Sequence, residues 1–373
     1  MSAPRVEIDL SKIRQNTETL VGRLKTRGIG VTGVTKAVCG LPAVAQAMLD
    51  GGAVGLADAR LGNVIRLRNA GVSRHITLIR TPLLSQTDQV VRVCDASYNT
   101  EMVVITALAA AAIRQGTVHG INLMIELGDL REGILPEDLS AIAEQVLDMP
   151  GVSLTGIGAN FGCLGKIAPD AAKMAILTSL AEEIENLCCT CLQTVSGGNS
   201  ANLTLAFRGQ QPSRINDLRL GESILLGVDP LSRAHIVGMH RDAFALVAEI
   251  IETDTKPDSA QICAADTALS GRGLNPTEKV GNRLILALGH QDTDIFGLSM
   301  PPGYSLVGAT SDHLVIGTNR EVPRVGSEVR FQMAYSALMR AMAAPDIEKK
   351  AHHNRGATHA QTTQSEDEGL ALA

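Results

Sequence analysis

Lys36 closes an apolar run in Val34-Thr-Lys-Ala-Val-Cys-Gly40. An amine at the end of such a run is costly unless it is solvated, paired or in covalent use. Buried amines have depressed pKa values and can form a Schiff base with a carbonyl. The bland alternative is a lysine whose stem lies along apolar neighbours and whose head reaches water. Other polar groups follow apolar runs in the same way: Asp129-Leu-Arg131-Glu-Gly133, Gly158-Ala-Asn160, Ser196-Gly-Gly-Asn199-Ser200 and Arg219-Leu-Gly221-Glu222-Ser223. Lysine, two arginines, asparagine and serine, with Gly-rich backbone able to cradle phosphate, fit an anionic aromatic aldehyde. A structural rim with its arginines in surface pairs accounts for the same residues without chemistry.

Two other patterns carry less. Gly28-Ile-Gly30-Val-Thr-Gly33 matches a dinucleotide fingerprint by letter, but it follows a helical stretch and opens a strand, the reverse of what that loop requires. Cys188-Cys-Thr-Cys191 contains one CxxC without a second pair to complete four zinc ligands. His352, His353 and His359 sit in a polar stretch, where solvation explains them better than a metal does.

Positioning the rim residues requires an alternation of strands and helices. Eight strand-like runs are expected at Gly30–Thr35, Ala53–Ala57, His75–Ile79, Val93–Ser97, Ile121–Leu127, Ser153–Ala159, Gln193–Ser196 and Leu218–Leu220. Amphipathic stretches such as Leu41–Leu49, Asp58–Asn69, Pro136–Leu147 and Asp170–Leu187 lie between them. That order suggests an α/β fold with a (β/α)8 barrel, whose chemistry gathers at the C-terminal strand ends. From about Phe244 short strands broken by Gly and Pro predict an all-β domain, with Arg5–Leu10 as a strand expected to join it across the fold. The expected organisation is an N-terminal strand within 1–12, a barrel over 13–240, a β-domain over 241–345 and a disordered polar tail over 346–373.

Composition narrows the function classes. The chain has 373 residues, 45% hydrophobic and only 2% aromatic, with a formal charge of −6. Such a chain lacks both the basic footprint and the stacking rings of a nucleic-acid binder. The N-terminus has no signal-peptide pattern, and the most apolar stretch, Met102–Ile113, falls short of the ~20 residues of a membrane span. Seven cysteines without regular spacing suit a reduced, cytoplasmic protein.

The ordered motifs VTKAVCG, GDLREG, GIGANFGC, SGGNS, LRLGE, GHQDTD and TSDHL resemble fold-type III pyridoxal-phosphate enzymes of the alanine racemase superfamily, nearest its ornithine racemase-like branch. The resemblance spans roughly Val6 to Asp346. It implies pyridoxal 5'-phosphate as cofactor, an amino acid as substrate, and a homodimer whose active site the partner's β-domain completes. It makes Lys36 the lysine of the internal aldimine and one racemisation base. Arg219 falls where the family sets an arginine beside the pyridine nitrogen, and Arg131 where it sets one near the phenolic oxygen. Asn160 takes a place that many relatives give to histidine. Ser200, Gly221 and Glu222 match phosphate contacts, the last two through backbone N–H groups, with Asn199 beside them.

The departures are equally specific. Alanine racemases take their second base, a tyrosine, from the opposite subunit near the start of the β-domain; here that region reads QICAADTALSG. Asp266, with Cys263 nearby, and Cys163 at the barrel rim are the alternatives for that role, each competing with a structural one. The cofactor-proximal tyrosine after the lysine is replaced by Cys39-Gly40, and Tyr335 reads as core rather than a phosphate contact. Asp292 and Asp312, in the two β-domain motifs, suit the side-chain ammonium of ornithine or lysine, or else cap turns. Alanine stays open as substrate. Two rival functions stand beside a racemase. One is an amino-acid aldolase, dehydratase or decarboxylase on the same scaffold, whose metal-dependent members carry a His and Cys pair near the C-terminus that is not evident here. The other is a non-catalytic cofactor-binding protein, whose single-domain relatives lack a β-domain.

Overall fold

The computed structural model describes residues 3–164, 167–188, 191–209, 214–254 and 282–353. They form two compact units, one of residues 3–8 with Phe244–His352 and one of Asp9–Ala243.

The larger unit is a closed barrel of eight parallel strands in sequence order: β2 (Gly30–Val34), β3 (Gly55–Asp58), β4 (Ile76–Leu78), β5 (Ala96–Asn99), β6 (His119–Ile125), β7 (Val152–Ala159), β8 (Thr194–Asn199) and β9 (Asp217–Leu220). The ring closes through β2 and β9, where Gly30 to Gly33 run in register with Asp217 to Leu220. Most barrel-strand residues are buried, because the interior covers one face of each strand and the helix layer the other. All eight expected runs became strands, with edges moved by a few residues. The expectation of a helix from Asp58 is corrected: Asp58 ends β3, and the helix is Leu61–Asn69.

Local chemistry sets the helix ends. Asp9, which closes β1 (Arg5–Asp9), caps the helix Leu10–Lys25 by accepting from the N–H groups of Ser11 and Lys12 at 3.0 and 3.2 Å. Met102–Ile113 lies within a helix that runs to Gln115 and stops at Gly116, which takes the left-handed conformation. No described helix is long and apolar enough to cross a membrane.

The smaller unit is an antiparallel sheet. Its order is β12 (Leu298–Ser299), β15 (Glu328–Met333), β10 (Phe244–Asp254), β11 (Asn282–Leu286), β14 (Leu314–Thr318) and β13 (Tyr304–Ala309). Alternation along β15 buries Val329, Phe331 and Met333 and exposes the residues between them. β1 pairs with β10, setting Val6 opposite Leu246, so the first strand does join the C-terminal sheet. Buried Arg5 fixes that edge by a bidentate bond to Glu328 at 2.5 and 2.8 Å. Two features differ from expectation. The unit includes a helix, Tyr335–Ala343, and residues Glu348–His352 form β16, which pairs with β1. The polar stretch after Asp346 is therefore ordered as far as that strand, because an unpaired edge of β1 offers its hydrogen-bonding groups whatever the polarity of the incoming side chains. Residues 354–373, His359 among them, lie outside the described residues.

Candidate active site

A cavity of about 210 Å³ opens at the C-terminal ends of the barrel strands, lined by Lys36, Ala59, Ile79, Arg80, Met124, Arg131, Glu132, Asn160 and Arg219. Four of the nine expected site residues that fall in the barrel rim's loops and strands, Lys36, Arg131, Asn160 and Arg219, thus meet around one space.

Lys36 follows β2 on a single turn of 3-10 helix, Lys36–Val38. Cys39 and Gly40 close that turn with φ of 52° and 62°, and the Gly40 N–H returns to the Thr35 carbonyl at 3.2 Å. A Cβ at Gly40 would stand 2.7 Å from the Asn63 Cβ, so the tyrosine that alanine racemases carry near here has no room on this backbone. Asp58, buried at the end of β3, holds the same turn. It accepts from the Thr35 hydroxyl at 2.7 Å, the Arg60 N–H at 2.8 Å and Asn63 Nδ2 at 3.0 Å. Burial raises its pKa, opposed by these three donors. The Lys36 ammonium itself makes no hydrogen bond or ion pair among the described residues.

Arg219 forms the floor. It is 4% exposed, and from β9 it reaches Tyr98 on β5, four strands away around the ring. Nη1 donates to the Tyr98 hydroxyl at 2.9 Å and to Ser196 Oγ at 2.6 Å, and Nη2 to the Ala159 carbonyl at 2.6 Å. The guanidinium also lies 4.5 Å from the Tyr98 ring centroid. Ser196 donates onward to Asp217 at 2.6 Å, and Thr32 donates to the other Asp217 oxygen at 2.6 Å. Burial pushes the Tyr98 phenol upward, so it stays neutral beside the arginine. Gly158 leaves the space this requires, since a Cβ there would meet the Tyr98 hydroxyl at 3.0 Å and Arg219 Nη1 at 3.1 Å.

Across the ring from Lys36, the loop after β6 carries Asp129, Arg131 and Glu132. Burial would raise the Asp129 pKa, but bonds from Asn160 at 2.8 Å and from the N–H groups of Cys163 and Leu164 at 2.9 and 3.2 Å hold it below the ordinary carboxylate range. Arg131 is bidentate to Glu132 and 3.8 Å from Asp129. Asn160 accepts in turn from Asn199 at 3.2 Å, and the same Asn199 amide lies 3.5 Å from Cys163 Sγ.

The SGGNS run owes its glycines to a break in register. Between Ser196 and Asn199 the β8–β9 pairing shifts, and Gly198 adopts a φ of 106° with the Phe161 ring 2.9 Å from where a Cβ would stand. The bulge delivers Asn199 and Ser200 to the rim, where Ser200 Oγ accepts from the Ser223 N–H at 3.4 Å. Gly221 precedes the short helix Glu222–Leu226, packed against Val34 closely enough that a Cβ would lie 3.1 Å away. The Glu222 carboxylate is bound by Arg233 at 2.5 Å, which leaves its backbone rather than its side chain for other partners.

In the smaller unit, Asp292 accepts from the Gly289 N–H at 2.8 Å. One oxygen of Asp312 accepts from the hydroxyls of Thr310 and Ser311 at 3.2 and 3.0 Å, with His313 at 3.1 Å. Each carboxylate thus spends one oxygen on its own turn. Asp266 and Cys263 lie outside the described residues, as does Cys189 of the CxxC run. Sequence reasoning missed Asp58, Tyr98, Arg80 and Glu132. The signal available for the first three was position alone, at or near the ends of β3, β5 and β4, the second to fourth strands of the ring.

The alanine racemase N-terminal domain family matches residues 8–230. The chain is 32% identical to the ornithine racemase of Acetoanaerobium sticklandii over 352 residues, covering 93% of this chain and 99% of that protein. It is 34% identical to the lysine racemase of Thermotoga maritima over 352 residues, covering 94% and 98%. The solved alanine racemase of Streptomyces lavendulae superimposes with a TM-score of 0.73 at 18% identity, covering 95% of this chain and 98% of the other, a likeness of fold. With a strand-end lysine facing a cavity floored by a fixed arginine, and with these matches along nearly its whole length, the chain belongs to the alanine racemase family of amino-acid racemases.

Proposed function

We propose that this protein is a pyridoxal 5'-phosphate-dependent racemase of basic amino acids, ornithine or lysine. The observation that carries the reading is the Lys36 amine, without a hydrogen bond or ion pair among the described residues, in a cavity floored by Arg219, which three hydrogen bonds hold in place. The residues fit the cofactor. Lys36 is available to its carbonyl, and Arg131 and Asn160 lie on the facing wall. Ser200 with the Gly221 and Glu222 backbone suits a phosphate, a group favoured by Gly-rich backbone after the last two strands of such barrels. When bound, the cofactor supplies an electrophilic carbonyl and a conjugated ring that draws electrons from the substrate's α-carbon.

The chain's own groups do the rest. Lys36 moves a proton at the α-carbon from one side, on a turn that Thr35 and Asp58 hold still. Arg219 falls where the family sets an arginine beside the ring nitrogen, and a guanidinium cannot give up its proton near neutrality. Placed there it would leave that nitrogen unprotonated, which would moderate electron withdrawal and favour return of the proton over loss of the amino group. The second proton carrier is Asp266 or Cys163; the latter stands beside the Asn160–Asn199 pair at the cavity edge. Asp292 and Asp312 offer the oxygens that their turns leave open to the substrate's side-chain ammonium. The two basic-amino-acid racemases among the relatives support that substrate class. We place the working assembly as a homodimer; the exposed Leu130 and Leu164, on the loops after β6 and β7, are apolar surface suited to being covered by a partner.

The test is α-proton exchange in deuterium oxide, followed by NMR for each L-amino acid. Exchange should be fastest with ornithine or lysine, and no exchange with any amino acid would refute the reading.

A further inference from the structure

We infer that Asp129 is a positioning residue: through Asn160 and Asn199 it holds the turn that presents Ser200 to the cofactor's phosphate. The inference rests on the pyridoxal 5'-phosphate reading above and adds to it a residue that acts through two others. Asp129 is 2% exposed, on the loop after β6. Its carboxyl lies below the ordinary carboxylate range, so it is ionised and can only accept hydrogen bonds. One oxygen accepts from the Cys163 and Leu164 N–H groups at 2.9 and 3.2 Å, and the other from Asn160 Nδ2 at 2.8 Å. That leaves Asn160 Oδ1 to accept from Asn199 Nδ2 at 3.2 Å. Asn199 Nδ2 also donates to the Phe161 carbonyl at 2.8 Å, and its Oδ1 accepts from the Ala201 N–H at 2.9 Å. The relay therefore runs from the loop after β6, over the end of β7, to the bulge at the end of β8, and its last bond closes the turn around Ser200.

Direction is what the relay transmits. An amide's oxygen and nitrogen have nearly the same shape, so the orientation of each asparagine is set by what its neighbours can donate or accept. Here an anion fixes one end, a backbone carbonyl and a backbone N–H fix the other, and the two ends agree. An amide at 129 breaks that agreement. The Cys163 and Leu164 N–H groups would claim its oxygen, and its nitrogen would face Asn160 Nδ2. Turning the Asn160 amide over only moves the clash to Asn199, which would then have to leave both the Phe161 carbonyl and the Ala201 N–H. A donor facing a donor in this half-buried setting is costly wherever along the relay it falls. Ser200 is sensitive to the outcome because its hydroxyl has one long bond of its own, from the Ser223 N–H at 3.4 Å. The backbone turn decides where that hydroxyl stands.

The experiment reconstitutes the full-length protein with pyridoxal 5'-phosphate and with unphosphorylated pyridoxal, and takes both dissociation constants from visible absorption. It compares the parent, Asp129→Asn, and the exchange of Asp129→Asn with Asn160→Asp. The exchange keeps every bond of the relay, because the carboxylate at 160 accepts from the amide at 129 on one side and from Asn199 on the other. Asp129→Asn should cut the preference for the phosphorylated ligand about tenfold, almost all of it in the pyridoxal 5'-phosphate constant. The exchange should bring that preference back to within about threefold of the parent. Arg131, 3.8 Å from Asp129, is directed at a part of the cofactor that both ligands share, so an effect passing through it falls on both constants alike. An unchanged preference in Asp129→Asn overturns the inference, as does an exchange that leaves the preference low. If Asp129→Asn alone does not fold, the exchange decides: a parental preference supports the relay, and failure to fold assigns Asp129 to the fold and overturns it. In each of these outcomes a parent that prefers pyridoxal 5'-phosphate preserves the cofactor reading, whereas a parent that binds neither ligand, or both alike, overturns the two together.

Discussion

The cavity's floor and its walls are built on opposite principles. On the floor, Arg219 makes three hydrogen bonds, and Asp217 behind it takes two more from Ser196 and Thr32. On the wall that follows β2 and β4, Lys36 and Arg80 make none among the described residues, unlike Arg131 and Asn160 on the facing wall. A buried charge has to be fully partnered by the protein, since water cannot serve it. A wall charge that reaches solvent can leave its bonds to be made by a ligand. The floor therefore holds one geometry, and the walls exchange partners. The same contrast predicts where substitutions will act: floor changes on stability, wall changes on binding and turnover.

Lys36→Ala should give the largest effect. It should lower racemisation by about a thousandfold or more, toward background, and abolish the cofactor's visible absorption at neutral pH. Because Lys36 has no protein partner to lose, the melting temperature of the cofactor-free protein should hardly move. Substantial retained turnover would show the lysine to be misassigned.

Arg219→Ala sharpens the contrast from the other side. It strands the Ala159 carbonyl and removes the cation behind which Ser196 and Asp217 are ordered, and should cost about 3 kcal/mol in urea unfolding of the cofactor-free protein. A loss under about 1 kcal/mol would mean that the floor is not the rigid element described above.

The barrel interior should also show itself in pH dependence. His119, at the start of β6, is buried against Ser97 at 2.9 Å, and burial pushes its pKa down to about 4. Between pH 6.5 and 4 the unfolded chain takes up a proton that the folded one refuses, so stability falls as pH falls through that window. At about 1.4 kcal/mol per pH unit the full loss is on the order of 3 kcal/mol, of which about 2 should appear between pH 6.5 and 5. Denaturant unfolding of the parent and of His119→Gln across that range isolates the share due to this residue. Parallel curves would mean that His119 titrates normally.

Asp312→Asn should give the smallest effect. The specificity constant for ornithine or lysine should fall roughly tenfold relative to alanine, measured by competitive α-proton exchange. Equal losses for basic and neutral substrates would assign Asp312 to its turn with Thr310 and Ser311 alone.

Much of this plan is readable along the chain because barrel strands are continuous apolar runs and their ends are marked by polar residues and glycine. VTKAVCG places Lys36, and SGGNS marks Gly-rich backbone after a strand, by local means; that the latter is a bulge is visible only in the β8–β9 pairing. Arg80 and Tyr98 carry no such mark. Tyr98 falls just past the expected run Val93–Ser97 and draws no notice until β5 is seen opposite β9, and Arg80 reads as one more surface arginine until β4 is seen opposite β8. The ordered end of the chain was illegible for a similar reason: Glu348–His352 is polar and unpatterned, and becomes a strand because the edge of β1 is there to pair with it.

By itself, then, the sequence determined the alternation that makes a barrel, the switch to a sheet after Phe244, and the lysine and glycine motifs that mark the rim, all of which are short-range patterns of polarity and backbone freedom. The closure of the ring decided which of the rim's charges are spent on one another and which are left for a ligand. That accounting depends on distances between residues far apart in the chain, such as Arg219 and Tyr98, and on the burial that makes each unpaired group costly.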